Sequence, residues 1–578
     1  MKKTTILTLL MLPVSTIPSK AQVLYYLPNT QDHTATVVWN DSYSSLSGDI
    51  VIPETVQING YAGTYTVVKI NERAFAGCDI TSVTIPRTIT FIGNSAFSGC
   101  SNLTTVNFNA INCSTWLNSW YANFYETYGS DLIFYNCDNL TNFNFGEEVE
   151  QIPNALCARN QNITSITIPN SVSVIGETAF AYCTGLTSVS LPNSLTTIEW
   201  GAFSGCTGLT SVSCQDGLTS IGGFSGCTGL TSISFPNSLT TIEWGAFSNC
   251  TGLTSVSFPN SLTTIGQDAF SNCTGLTSVS FPNSLTTIGQ DAFSNCTGLT
   301  SVSFPNSLTT IGQDAFSNCT GLTSVSFPNP NSLTTIEQSA FSNCTGLTSV
   351  SFPNSLTTIN QNAFKDCTGL TSVCFPNSLT TIEQNAFSNC TGLTSVTLPE
   401  NITASSGAFN GCTGISQATL NCINIPEDVL NGCSQLTRLT LGEQVRTINP
   451  SAFNGLNTVF RLTCQASVPP TTTANPFSNF NTGIPVYVPC VSVEAYRNAP
   501  YWGFFTNIQC DISGIDGIDG LDLRISSSDG HIAVEGAEGM TIRIYATDGR
   551  PVANNNLAEG IFMVKVGDFP ARKVVVTR

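Results

Sequence analysis

Apolar residues recur along most of this chain in one fixed string. Leu276, Val279 and Phe281 are followed by Pro282, then by Leu285 and Ile288, then by Ala292, Phe293 and Cys296, and Leu299 starts the string again. The period is 23 residues. Cysteines mark it: Cys183, Cys206, Cys227, Cys250, Cys273, Cys296, Cys319, Cys344, Cys367 and Cys390 follow one another, with a shortened unit before Cys227 and an inserted Pro330-Asn331 before Cys344. Looser copies reach back to Phe75 and Cys78 and forward to Phe453, which makes about seventeen units. Within a unit, the Val279/Phe281 alternation predicts a short strand with one buried face, and Pro282 ends it because proline cannot donate to a continuing ladder. Asp291-Ala292-Phe293 reads as the start of a short helical or 3-10 turn with Asp291 as its N-cap. One such unit buries too little to stand alone, so the period predicts a solenoid in which each coil completes the core of the next.

The flanks break this pattern. Lys2 and Lys3, the apolar run Ile6 to Val14 and Ser19-Lys20-Ala21 have the layout of an export signal over residues 1–21, with the mature chain starting at Gln22. That run is too short to span a bilayer, and no later stretch is long enough, so no membrane span is expected. Residues 22–66, with Val37-Val38-Trp39 and Tyr65-Thr66-Val67-Val68, read as strands capping the first coil. The array then occupies 67–465, a less regular closing cap 466–510 and a Gly-Ile-Asp linker 511–523. Residues 524–578 alternate as strands, with Asp548-Gly549 as a hairpin signal.

Composition narrows the function. Only 10% of the 578 residues are charged, against about 25% in ordinary soluble domains, and the net charge is -18. A surface driven by counterion release from phosphates is disfavoured, so nucleic acid is not an expected partner. The array accounts for the missing charge, because its outward positions are mostly Ser, Thr and Asn.

The string Leu-x-x-Val-x-Phe-Pro-x-x-Leu-x-x-Ile-x-x-x-Ala-Phe-x-x-Cys resembles the 23-residue leucine-rich repeat of BspA-like bacterial surface proteins. The resemblance implies a leucine-rich repeat solenoid with a parallel β-sheet on one face and short helical, 3-10 or extended segments on the other. It also implies a secreted, outer-membrane-associated cell-surface protein that adheres to an extracellular host-matrix or cell-surface protein, or to a glycan. Thr541-Ile542-Arg543-Ile544-Tyr545, Gly560 to Val566 and Lys573 to Val576 are similar to the type A C-terminal sorting domain of type IX secretion. That likeness implies a small β-sandwich read by the secretion machinery.

Candidate chemistry is sparse. The two histidines, His33 and His531, lie at opposite ends, which leaves no base for a Ser-His-Asp or Cys-His arrangement in the array. No Cys-x-x-Cys pair suggests a metal site. No catalytic residue, cofactor or metal is expected. The repeat cysteines would stack about 5 Å apart, a spacing that admits disulfides, yet identical inward side chains suit a ladder of buried thiols, and Leu456 takes the same place in the last unit. Cys490 and Cys510, outside the array, are the expected disulfide. Asp268, Asp291 and Asp314 suggest a calcium ladder, but Ser95, Thr178, Gly201, Gly245, Ser339, Asn362 and Asn385 occupy that place elsewhere, and the set reads as N-caps.

Two surfaces stand out as candidate ligand-binding sites. Thr277, Ser278 and Ser280 represent an uncharged hydroxyl face repeated on the strand of every regular unit. Between Cys113 and Cys137 an aromatic insertion carries Trp116, Trp120, Tyr121, Phe124, Tyr125, Tyr128, Phe134 and Tyr135, of which Trp116, Trp120, Tyr121, Tyr125 and Tyr128 are the candidates. Trp200 and Trp244, which replace the usual Gln of the unit, form a lesser candidate.

Overall fold

The computed structural model describes residues 24–39, 46–115, 131–328, 332–404 and 407–511, together with strand segments between 524 and 576. The chain divides into two compact units, Met1–Ser378 and Leu379–Arg578.

In the first unit each regular coil has three sides. The strand Ser278–Ser280 makes the first, and it lies parallel and in register with Ser255–Ser257, Val256 opposite Val279. Phe281-Pro282 then closes a turn in which Leu285 N–H donates to the Pro282 carbonyl at 3.1 Å. The second side is a two-residue strand, Thr287–Ile288, paired with Thr264–Ile265 and Thr310–Ile311. The coil therefore carries two parallel ladders where the sequence predicts one sheet. Two residues are too few to show an alternation, so this second strand leaves no period-2 signal.

The third side corrects the expected helical segment. Gln290 to Asn295 is a run of turns, with Asp291 and Asn295 at φ of 52° and 59°. Its amide groups alternate in use. Those of Asp291, Phe293 and Asn295 donate to Gln313, Ala315 and Ser317 of the next coil, while those of Ser294 and Cys296 donate to Asp291 and Phe293 of their own. Asp291 is thus a left-handed turn residue, not an N-cap. Asn, Asp and Gly tolerate that conformation, and the same residue types dominate N-caps, so the list of substitutions fits both readings. Glycine has a separate role in Thr297-Gly298-Leu299, where an added Cβ would lie 2.6 Å from the Thr274 carbonyl oxygen of the previous coil.

The core is a set of side-chain columns. Phe270, Phe293 and Phe316 stack face to face, with centroids 5.3 and 5.2 Å apart. Phe258, Phe281 and Phe304 form a second column at 5.9 Å, meeting the first edge-on. Before the regular coils, Tyr25–Asn29 pairs antiparallel with Thr34–Val38, which in turn lies parallel to Thr64–Ile70.

The second unit repeats the scheme: Ser395–Leu398, Gln417–Leu420, Arg438–Leu441 and Arg461–Cys464 form a parallel ladder. Pro485–Val488 and Asn507–Cys510 continue it. Over this end lie the helix Val493–Asn498 and two buried anchors: Tyr496 Oη–H donates to the Ala466 carbonyl at 2.8 Å, and Trp502 Nε1–H to Pro470 at 3.0 Å. Cys490 and Cys510 are disulfide-bonded, as expected. Further on, Arg524–Ser528 pairs antiparallel with His531–Glu535. A four-stranded antiparallel sheet runs in the order Pro551–Val552, Ile542–Ala546, Gly560–Val566, Arg572–Val576.

Candidate binding surface

The strand side of the coils builds the hydroxyl face. Because the ladder is in register, Ser255 lies opposite Ser278 and Ser257 opposite Ser280, so identical exposed side chains line up from coil to coil. Thr277 has a different role from its serine neighbours. Its Oγ1–H donates to the Thr254 carbonyl at 3.1 Å, and Thr300 Oγ1–H donates to the Thr277 carbonyl at 3.2 Å. The threonine row is thus a strap between coils, and Ser278 and Ser280 are the hydroxyls presented outward. Cys374 occupies a serine place in the row and is the exposed free thiol of the chain. In the second unit the same face carries Arg438 and Arg461, with Arg461 over the Tyr487 ring at 4.4 Å.

Trp116, Trp120, Tyr121, Tyr125 and Tyr128 lie outside the described residues. Of the aromatics at the edge of that insertion, Phe134 is 2% exposed and stacks on Phe97 at 5.1 Å, while Tyr135 packs against a small cluster containing Leu132 and Ala155. Phe134 belongs to the core, and Tyr135 is half-buried against it.

The cysteine column is more specific than a row of small apolar groups. Cys296 Sγ–H donates to the Phe270 carbonyl at 3.2 Å, Cys273 to Phe247 and Cys319 to Phe293 at the same distance. Each such carbonyl also accepts the amide of the cysteine in its own coil. The thiol is a donor that ties adjacent coils, a role that the packing expectation missed. Burial pushes the Cys273 and Cys319 thiols up to about 12, so they stay protonated and unreactive at neutral pH.

The turn side carries the charge. Asp291 is raised above the usual carboxylate range chiefly by burial, eased by the Gln290 side-chain amide and reinforced by Asp268 and Asp314. Among the described residues no group of three or more His, Cys, Asp or Glu is placed to hold a metal ion. Trp200 and Trp244, 44 positions apart in sequence, come together here as a parallel stack with centroids 5.9 Å apart. A further cleft of about 440 Å³ opens beside Pro53, Glu54, Pro86, Arg87, Asn109 and Glu148, with Arg87 and Glu148 paired at 2.9 Å across exposed side chains. No described helix is long and apolar enough to cross a membrane.

Comparison with known proteins places the repeat. The model of the BspA type leucine rich repeat region matches residues 54–132, 127–223, 222–347 and 334–460. Among solved structures, a leucine-rich repeat protein from Bacteroides ovatus is 26% identical, with 74% of this chain and 95% of that chain covered at a TM-score of 0.45. A leucine rich cell surface protein from Faecalibacterium prausnitzii is 24% identical, covering 73% and 95% at 0.33. A leucine-rich repeat protein from Eubacterium ventriosum is 22% identical, covering 67% and 92% at 0.38. No curated protein matches.

Proposed function

This chain belongs to the BspA-type leucine-rich repeat family, and from that premise we propose that it is an exported cell-surface adhesin that binds an extracellular protein of a host or neighbouring cell. The array, over residues 67–465, is the binding module. Contact is made through the strand face represented by Thr277, Ser278 and Ser280, with the aromatic insertion Trp116 to Tyr128 as a second contact. The observation that carries this reading is the in-register rows of exposed serines, uncharged over successive coils. Such a surface presents hydroxyl donors and acceptors at the inter-strand pitch of about 4.8 Å, a regular polar array that supports contact over many coils. Residues 524–578 serve as the secretion address, a reading supported by their antiparallel strands and by the alternation in sequence.

The test is a binding screen of the full chain against immobilised extracellular matrix proteins, cell-surface proteins and neutral glycans. Saturable binding to a protein is the expected result. Binding confined to glycans would replace the partner class, and the absence of any saturable ligand would make the array a spacer, a role that its three repeated units between Thr251 and Cys319 would also suit.

A further inference from the structure

The tryptophan pair is made by a deletion. The coil ending at Cys227 has Ile221-Gly222-Gly223-Phe224 where its neighbours have Ile198-Glu199-Trp200-Gly201-Ala202-Phe203 and Ile242-Glu243-Trp244-Gly245-Ala246-Phe247. Backbone pairing locates the gap. Phe180 N–H donates to Ala202 and Phe203 N–H to Gly223, both at 2.7 Å, so Gly223 takes the place of Ala202. The coil therefore lacks the tryptophan position and the residue after it, and Gly223 itself takes a positive φ of 90°. With no side chain between them, Trp200 and Trp244 lean across the short coil and stack, their planes 10° apart. They remain 39% and 52% exposed, whereas Phe203, Phe224 and Phe247 of the same coils are fully buried.

The charge around the pair has one sign. Between Arg159 and Lys365 the sequence contains no Lys, Arg or His, but it contains Glu177, Glu199, Asp216, Glu243, Asp268, Asp291, Asp314 and Glu337. All but Asp216 fall within three residues after the second-strand isoleucine of their coil, on the turn side. Glu199 and Glu243 immediately precede the two tryptophans, and Trp244 Nε1–H donates to Asp268 Oδ2 at 3.3 Å. The three ion pairs among the described residues involve none of these groups.

We propose that the Trp200–Trp244 stack, flanked by Glu199, Glu243 and Asp268, is a docking site for an arginine- and lysine-rich segment of a partner polypeptide. A guanidinium group suits both halves of the site: it lies over indole surface by cation–π attraction and donates to carboxylates in a planar fork. A neutral sugar uses the ring surface but leaves the uncompensated charge without a counterpart. This site lies on the turn side and is independent of the strand-face reading.

The test measures binding of a short arginine-rich peptide to the full chain, with a neutral oligosaccharide in parallel. Trp200→Gln/Trp244→Gln restores the residue that ordinary coils carry, and insertion of Gln-Asn between Gly222 and Gly223 restores coil length while keeping both rings. Either change is expected to weaken peptide binding about tenfold and to abolish the exciton couplet of the stacked indoles in circular dichroism, with the melting transition unchanged. Glu199→Gln/Glu243→Gln should weaken binding and flatten its salt dependence. Equal peptide affinity for the parent chain and both tryptophan-site variants would reduce the effect to diffuse attraction by a net charge of -18 and overturn the proposal. So would oligosaccharide binding that depends on the tryptophans while peptide binding does not.

Discussion

The strand face and the turn side of the same coils solve one problem in opposite ways. Every side chain in a solenoid has a copy of itself in the next coil, so a charged residue stacks on its own charge. The strand face of the regular coils avoids this: Ser255, Ser278 and Ser301 meet in register with no charge to repel. The turn side accepts it: Asp268, Asp291 and Asp314 share one row, and Gln290 Nε2–H and Gln313 Nε2–H donate to the adjacent aspartates at 3.0 and 3.1 Å. The uncharged side offers a repeated pattern suited to an extended contact, and the charged side offers a local site where the pattern is broken. Regularity and its interruption are therefore two different routes to recognition.

The largest expected effect removes what both faces share. Phe293→Ala leaves a hole between Phe270 and Phe316 in a column where all three are fully buried. It should cost about 3 to 5 kcal/mol in denaturant titrations and disturb both sides of the neighbouring coils. Loss confined to one side would mean that the two faces do not depend on a common core. Next comes the thiol bridge. Cys296→Val replaces the thiol by an apolar side chain about one methyl group larger and removes the donor to the Phe270 carbonyl; it should cost about 1 kcal/mol for the lost bond, to which overpacking of the column adds. A neutral substitution would return the cysteine to a packing role.

Much of this was legible in sequence, and the exceptions have physical reasons. The 23-residue period named the inward residues, among them Leu276, Ile288, Ala292, Phe293 and Cys296, and all of these are buried. Asp291 was readable as a turn residue only in part, since N-caps and left-handed turns favour the same short polar side chains. The thiol–carbonyl bond was hidden because a cysteine in an apolar pattern looks the same whether or not its S–H has a partner. The tryptophan pair was least legible: neither residue is exceptional alone, and their meeting depends on two residues missing from the coil between them.

Thiol accessibility sharpens the contrast between core and strand face. Cys374 is exposed, whereas the other twenty free cysteines are buried. Alkylation of the native chain should add one label, on Cys374, with the rest reacting only after unfolding. Rapid labelling of several cysteines by mass spectrometry would show an open core.

The smallest effect concerns pH. Burial, with a contribution from Glu199, raises Glu177, and burial with the flanking aspartates raises Asp291. The folded chain thus holds these protons more tightly than the unfolded one. Stability contributed by this row should rise as pH falls from neutral through the raised folded values toward the ordinary carboxylate range near about 4. Asp291→Asn should flatten that slope slightly, and an unchanged slope would remove like-charge stacking from the description of the turn side.

The most direct measurement of the central claim is a titration of the full chain, parent and Ser257→Lys/Ser303→Lys, against the protein partner recovered in the binding screen. Both serines are exposed on the strand face, and they belong to alternate coils, so the two lysines are not direct neighbours. With the melting transition unchanged, affinity is predicted to fall at least about tenfold, because each lysine interrupts the hydroxyl row with a bulky solvated charge. Full affinity retained by the variant would contradict the assignment of the strand face as the contact surface.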